Sequence, residues 1–237
     1  MKAEYIAHLG DDLMVVNAAR VSFDKESEWE PEALCPTDEM GGKIPPYNRL
    51  SGKDAKLISY LAKHGHWTPF SHPQITMRET VPIFIARQRF KHMVGFTYNE
   101  VSRRYVDDEP TFFVPDVWRS RPEGSVKQGS GNGVVEKPSF LWVDYGSQGT
   151  YADFIELCTE NYKHLLEQGV APELARMVLP QSMYTSYYVT GSLSAWARAY
   201  KQRSDAHAQK EIQDLAAKWN DIIAPLYPES WKALTEG

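Results

Sequence analysis

The stretch from Gln74 to Tyr105 constrains this chain most, because it changes structural period twice with no loop between. From Gln74 to Val81, β-forming residues alternate with polar ones, the pattern of a half-buried strand. Pro82 follows at once, and proline suits the first position of a helix, here continuing through Ile83, Phe84, Ile85 and Ala86. Gly95 is expected to break that helix. The segment from Asn99 to Tyr105 is then expected to be extended or turning, with Ser102 and Arg104 on one side at a spacing of two. A strand therefore feeds a helix directly.

The remaining chain mixes the two periods without a βαβ repeat. Residues 3–9 and 12–17, around Gly10-Asp11-Asp12, read as two strands or as a strand leading into a helix. Helices are expected over Asp54–Lys63, ending near Gly65, and over Tyr151–Gln168. In the second, Phe154, Ile155, Cys158, Tyr162, Leu165 and Leu166 recur at helical spacing before Gly169. Pro172 restarts a helix carrying Arg176, and Met183–Val189 reads as a strand. Gly191 and Ser192 open a helix to about Arg203, and Ser204 or Asp205 caps a final helix to about Ile223. Residues 25–50 read as an acidic surface loop. Residues 107–147 form a Pro- and Gly-rich excursion between short strands at Phe112–Val114 and Phe140–Val143. The expected architecture is α+β, a mostly antiparallel sheet flanked by helices, in one domain over residues 1–237.

The charge distribution narrows the function. The chain carries −5 overall, yet Arg87, Arg89, Lys91, Arg103 and Arg104 face only Glu100 within the segment 87–104, a local balance of +4. A general binder of nucleic acid or anionic membrane would show a broad basic surface, so neither partner is expected. No apolar run reaches the length of a membrane span. The N-terminus lacks a hydrophobic signal core, and a cytoplasmic location is expected. Two cysteines, Cys35 and Cys158, provide neither a disulfide framework nor a Cys-rich zinc site. His64, His66 and His72 have no cysteine or acid at ligand spacing, so they are expected to be hydrogen-bonding residues, and no metal is expected.

On a helix from Pro82, Arg87 and Lys91 stack at i and i+4, and Gln88 and His92 stack beside them. Like charges so placed repel unless an anion sits between them. A hydroxyl beside a guanidinium, as at Ser102 and Arg104, is a good phosphate grip. No glycine-rich phosphate loop appears, so side chains must hold the anion. Arg203 and His207 lie one turn apart at a helix junction, for which packing against a capping Asp205 is the ordinary explanation.

These pieces, in this order, resemble the flavin-dependent thymidylate synthases. The motifs are Arg87-Gln88-Arg89-Phe90-Lys91-His92-Met93 and Asn99-Glu100-Val101-Ser102-Arg103-Arg104-Tyr105, with Ala19–Asp24 and Lys63–Phe70 upstream. Ala175-Arg176 to Pro180 and Arg203 to Gln209 follow downstream. Lys91 and Met93 stand where the family usually has arginines, and the spacer to Asn99 is one residue longer. The resemblance implies that Gln88, Lys91, Glu100, Ser102, Arg103, Arg104, Arg176 and Arg203 bind deoxyuridine monophosphate (dUMP), with Arg203 catalytic. It further implies that FAD is held by Thr68, Lys91, His92, Met93, Glu100, Ser192, Leu193, Ser194 and Arg198. NADPH and methylenetetrahydrofolate are the implied co-substrates, and a homotetramer with shared sites the implied assembly. Ser102 has no adjacent base and reads as a phosphate ligand, not a nucleophile. The rival readings are a flavin- and folate-dependent methylation of uracil in RNA and a non-catalytic nucleotide or RNA binder.

Overall fold

The computed structural model describes residues 1–31, 48–106, 108–122, 129–141 and 148–237. In chain order the regular elements begin with β1 (Lys2–Leu9), α1 (Asp12–Arg20), β2 (Glu30–Pro31), β3 (Asn48–Arg49) and α2 (Gly52–Lys63). Next come β4 (Gln74–Pro82), α3 (Ile83–Arg89), β5 (Phe96–Glu100), β6 (Phe140–Leu141), β7 (Gln148–Gly149) and α4 (Tyr151–Glu167). The chain closes with α5 (Pro172–Ala175), β8 (Tyr184–Ser192), α6 (Leu193–Arg203), α7 (Lys210–Ile223) and α8 (Pro228–Glu236).

The main sheet has the order β1-β4-β8-β5, and every neighbouring pair is antiparallel. Alternation along β4 sends Ile75, Met77, Glu79 and Val81 inward, and along β8 it does the same for Thr185, Tyr187, Val189 and Gly191. Helices α1, α2, α3, α6, α7 and α8 all bury side chains in the core beneath this inner face, including Val15, Ile58, Ile85, Trp196, Trp219 and Trp231. The outer face is polar: Thr76 pairs with Thr190 at 2.9 Å, and Arg78 donates to Ser186 at 3.0 Å. The expected α+β class is the one observed.

Gly191 and Gly95 let β5 approach β8. A Cβ at Gly191 would lie 2.3 Å from the Phe96 ring, and Gly95 adopts a φ of +81° above Ala195. Only glycine meets both demands at low cost.

Four expectations about the elements need correction. Helix α3 stops at Arg89 instead of continuing towards Gly95, so Lys91 and His92 occupy a turn and the i, i+4 rows are not formed. The cause is Tyr98, whose hydroxyl donates to the carbonyl of His92 at 2.7 Å and lies 3.4 Å from that of Arg89. Those carbonyls are thereby satisfied without another helical turn. Second, neither Ser204 nor Asp205 caps α7, whose cap position is Gln209. Asp205 instead accepts from the His207 N–H two residues on, at 2.8 Å, and a turn replaces the first helical residues. Third, a further helix, α8, follows α7 with Pro228 in its first turn. Fourth, the Phe112 strand reduces to one bridge with Met183, and of Phe140–Val143 only Phe140–Leu141 are paired among the described residues. The described parts of the excursion are anchored, since Trp118, Phe140, Tyr151 and Phe154 stack together and Arg119 pairs with Glu211 at 2.6 Å. Cys35 and most of the acidic 25–50 segment lie outside the described residues.

The least ordinary feature of the core is an ion pair inside it. Arg89 and Glu79 are both 0% exposed, with Nε 3.3 Å from the carboxylate. Tyr187 donates to Glu79 at 2.5 Å, and Arg89 Nη1 donates to the Tyr98 hydroxyl at 2.6 Å. The guanidinium also lies over Phe96, Trp196 and Trp219 at 4.4, 4.7 and 4.8 Å. Charges taken out of water this far persist only while partnered. Glu79→Ala should therefore destabilise the fold by about 3–5 kcal/mol, the cost of leaving one buried charge unpaired, as read by chemical denaturation. A loss below about 1 kcal/mol would show that the pair is not needed.

Candidate active site

The C-terminal ends of α3 and α6 meet at one cluster. Arg203, in the last turn of α6, donates from Nε to His92 Nε2 at 2.8 Å and from Nη2 to the Gln88 carbonyl at 3.3 Å. Because Nε2 accepts, the neutral ring carries its hydrogen on Nδ1. Burial, reinforced by the charges of Arg203, Arg89 and Arg198, holds the His92 pKa down at about 4. Burial also lowers the pKa of Arg203, with Arg89 adding to the effect. Tyr98 closes the cluster from below through the His92 carbonyl, and burial pushes its own pKa up to about 12. The Gln88 side chain donates from Nε2 to Gln209 Oε1 at 2.6 Å. Lys91 and Met93 are exposed on the same turn.

A second cluster lines an open pocket of about 820 Å³ where β4 and β5 leave the sheet and β8 enters it. Here Arg104 donates from Nε to Ser102 Oγ at 3.1 Å, the hydroxyl–guanidinium pair read from the sequence. Residues 103–105 form a turn, one of the two conformations expected for this segment. Arg176, just past α5, reaches the same pocket and donates from Nε to the Glu173 carbonyl at 3.2 Å. Glu100 accepts from Thr185 at 2.7 Å. Arg103 is turned to Asp108 at 2.9 Å, so its charge is already largely countered.

A third group gathers at the start of α6. Ser192 caps the helix by accepting from the Ala195 N–H at 3.3 Å, and Ser194 shares hydrogen bonds with Ser71 at 2.7 Å and Ser192 at 3.1 Å. Arg198 donates to the Val94 carbonyl. Together with Trp67 and Lys201, Ser194 and Arg198 line a hollow of about 340 Å³, and Thr68 is exposed beside Trp67. Leu193 departs from the expectation of a ligand contact. Its side chain is fully buried and its N–H is taken by the Pro73 carbonyl at 3.0 Å.

The structure thus assembles Gln88, His92 and Arg203 at one place and Glu100, Ser102, Arg104 and Arg176 at another. The first place lies at the C-terminal end of α3, whereas the pocket of the second reaches Ile83 at its N-terminal end. Sequence reasoning missed Arg78, Thr80 and Ser186, outward-facing neighbours on β4 and β8 that wall the pocket. It also missed Trp67 and Lys201. A signal did exist for Glu79, an acid at an inward position of an otherwise apolar alternation. His64 and His66, for their part, pack their rings against Tyr60.

Fold and clusters together describe an α+β protein with arginine groups suited to phosphorylated ligands. The sequence matches the family described as "Thymidylate synthase complementing protein" over residues 4–229. It is 38% identical over 230 residues to the flavin-dependent thymidylate synthase of Thermosipho africanus, covering 95% of this chain and 86% of that protein. The fold resembles the UMP/dUMP methylase PolB from Streptomyces cacaoi bound with 5-Br dUMP, with a TM-score of 0.71 and 29% identity over 99% of this chain and 94% of that one. The same methylase bound with 5-Br UMP gives 0.70 and 28%, over 99% and 93%. The chain belongs to the thymidylate synthase complementing protein family, and it is an enzyme of the flavin-dependent thymidylate synthase type.

The depressed basicity of His92 has a defined sign. Its value near 4 lies below the ordinary 6.5, so between these values the unfolded chain binds a proton that the folded one does not. This contribution to stability is complete above about pH 6.5 and is lost as pH falls towards 4. NMR titration should show a neutral His92 ring until near pH 4, and His92→Gln should flatten the acid limb of the stability profile. A midpoint near 6.5 would contradict this geometry.

Proposed function

We propose that this enzyme methylates dUMP at C5 to give dTMP, with methylenetetrahydrofolate as one-carbon donor and FAD, reduced by NADPH, as hydride source. The observation that carries the reading is Arg203, fixed through Nε by a neutral His92 and through Nη2 by the Gln88 carbonyl, which leaves Nη1 to face a ligand. Uracil C5 becomes nucleophilic when the ring is polarised so that negative charge builds at N3 and O4, before C5 bonds to the one-carbon unit. A pre-positioned, permanently charged guanidinium stabilises that charge without reorganising. Ser102, Arg104 and Arg176 supply the phosphate grip, with Gln88, Lys91, Glu100 and Arg103 completing the nucleotide contacts.

The residues at the start of α6 fit FAD. Arg198 and Lys201 match a pyrophosphate and the exposed Trp67 ring matches a flat base, while Thr68, Ser192 and Ser194 add hydroxyls. Lys91, His92, Met93 and Glu100 provide the remaining contacts, with Leu193 placing the chain. When bound, FAD supplies the hydride that converts the transferred methylene into a methyl group, and the C5 hydrogen leaves as a proton. No cysteine is needed. Burial raises the Cys158 thiol pKa, the opposite of what a nucleophile requires.

The separation of the Arg203 cluster from the phosphate pocket supports sites shared between subunits of a homotetramer, with isolated monomers inactive. No helix among the described residues is long and apolar enough to cross a membrane, in keeping with action on soluble metabolites.

The test is tritium release from C5-labelled dUMP with NADPH and methylenetetrahydrofolate, alongside UMP and a uracil-containing RNA. The UMP arm is motivated by the UMP/dUMP methylase likeness. Release from dUMP by a yellow, flavin-containing protein is expected. Release from RNA alone would favour the RNA methyltransferase, and no flavin with no release would favour the binder. Arg203→Ala should lower turnover about 10²–10³-fold. Ser102→Ala should instead weaken dUMP binding about tenfold with turnover retained at saturation. Abolished turnover in the second variant would argue for a nucleophilic serine.

A further inference from the structure

We infer that Gln209 and Glu211 are positioning residues that lock the Gln88 amide in one orientation, making it a reader of the N3–H edge of uracil. The inference rests on the proposed dUMP reading. Its physical basis is a hydrogen-bond chain whose direction is fixed at one end. Arg119, from the excursion, places Nη2 2.6 and 2.9 Å from the two oxygens of Glu211, a buried carboxylate. A carboxylate whose two oxygens both accept from a guanidinium offers its neighbours acceptors. The Gln209 amide atom 2.8 Å from Glu211 must therefore be Nε2. Its other terminal atom must be Oε1, and the Gln88 atom 2.6 Å from it must be a donor, Nε2.

The consequence falls on the ligand side. Gln88 spends one N–H on Gln209 and presents Oε1, an acceptor, with one remaining N–H beside it. Uracil offers a donor at N3 flanked by acceptor oxygens, which complements that pair. Cytosine offers an acceptor at N3 beside a donor amino group and would require the amide turned over. A freely rotating glutamine serves both bases. A locked one serves uracil, because turning it would set two donors or two acceptors against each other along the chain to Glu211. Gln88 lies at the base end of the nucleotide, since its carbonyl holds Arg203.

The lock is tested in the full-length holoenzyme by measuring dissociation constants for dUMP, dCMP and 2-deoxyribose 5-phosphate. Glu211→Gln creates no cavity and gives Gln209 a partner able to donate or accept, which frees the orientation. This variant should lower the preference for dUMP over dCMP about tenfold, while 2-deoxyribose 5-phosphate affinity stays unchanged. Gln209→Met should do the same, and in a Gln88→Met background neither substitution should lower the preference further. Equal weakening of dUMP and dCMP, additive losses in the double variants, or an undiminished preference would overturn the inference alone. A wild-type enzyme with no preference for dUMP would overturn it together with the functional reading beneath it.

Discussion

The buried pair of Arg89 and Glu79 is the constraint on which the site depends. A guanidinium enclosed by Phe96, Tyr98, Trp196 and Trp219 has no access to water, so its partners must come from the protein, which supplies them at Nε and Nη1 and leaves Nη2 without a hydrogen bond among the described residues. Glu79, on an inner position of β4, answers the charge, and Tyr187 on β8 answers Glu79. Tyr98 on β5 receives Arg89 Nη1 and passes its own hydrogen to the His92 carbonyl. Three strands and one helix are thereby joined through a single ionic centre. Burial pushes the Tyr187 pKa upward, with the Glu79 charge adding to it, so this hydroxyl stays a donor.

The same centre shapes the chemistry above it. With its carbonyl held by Tyr98, the His92 turn cannot continue the helix, and the ring is left where Arg203 reaches it. Burial, with the surrounding arginines adding to it, keeps that ring neutral, which lets it accept a hydrogen bond instead of repelling the guanidinium. Arg203 is thus oriented by a partner that cancels none of its charge. A carboxylate in the same place would hold it as firmly but would cancel its positive charge.

Local chemistry made much of the fold legible. The period-two alternation of Gln74–Val81, the Pro82 step, the Gly169 stop and the Ser192 cap each act within a few residues, and the elements appear where those signals put them. Signals failed where a distant partner outweighed a near one. The end of α3 is set by a hydroxyl on β5, and the start of α7 is delayed because Asp205 bonds its own neighbour. The contact between Ser102 and Arg104 was readable from spacing. The His92–Arg203 contact, across 111 residues of sequence, was not readable from the residues alone.

The sequence by itself determined the alternating and helical periods, the concentration of cations between Arg87 and Arg104, and the motifs that identify the family. These are one-dimensional properties, and hydrophobic periodicity and charge spacing carry them. Only the tertiary structure decided that Arg89 turns inward while Arg104 turns outward, although both are arginines in the same short segment. The difference lies in what the rest of the fold offers: an inward acid and four aromatic rings in one case, a hydroxyl at an open pocket in the other. A charged side chain goes where its desolvation is repaid, and that balance exists only once distant strands have met.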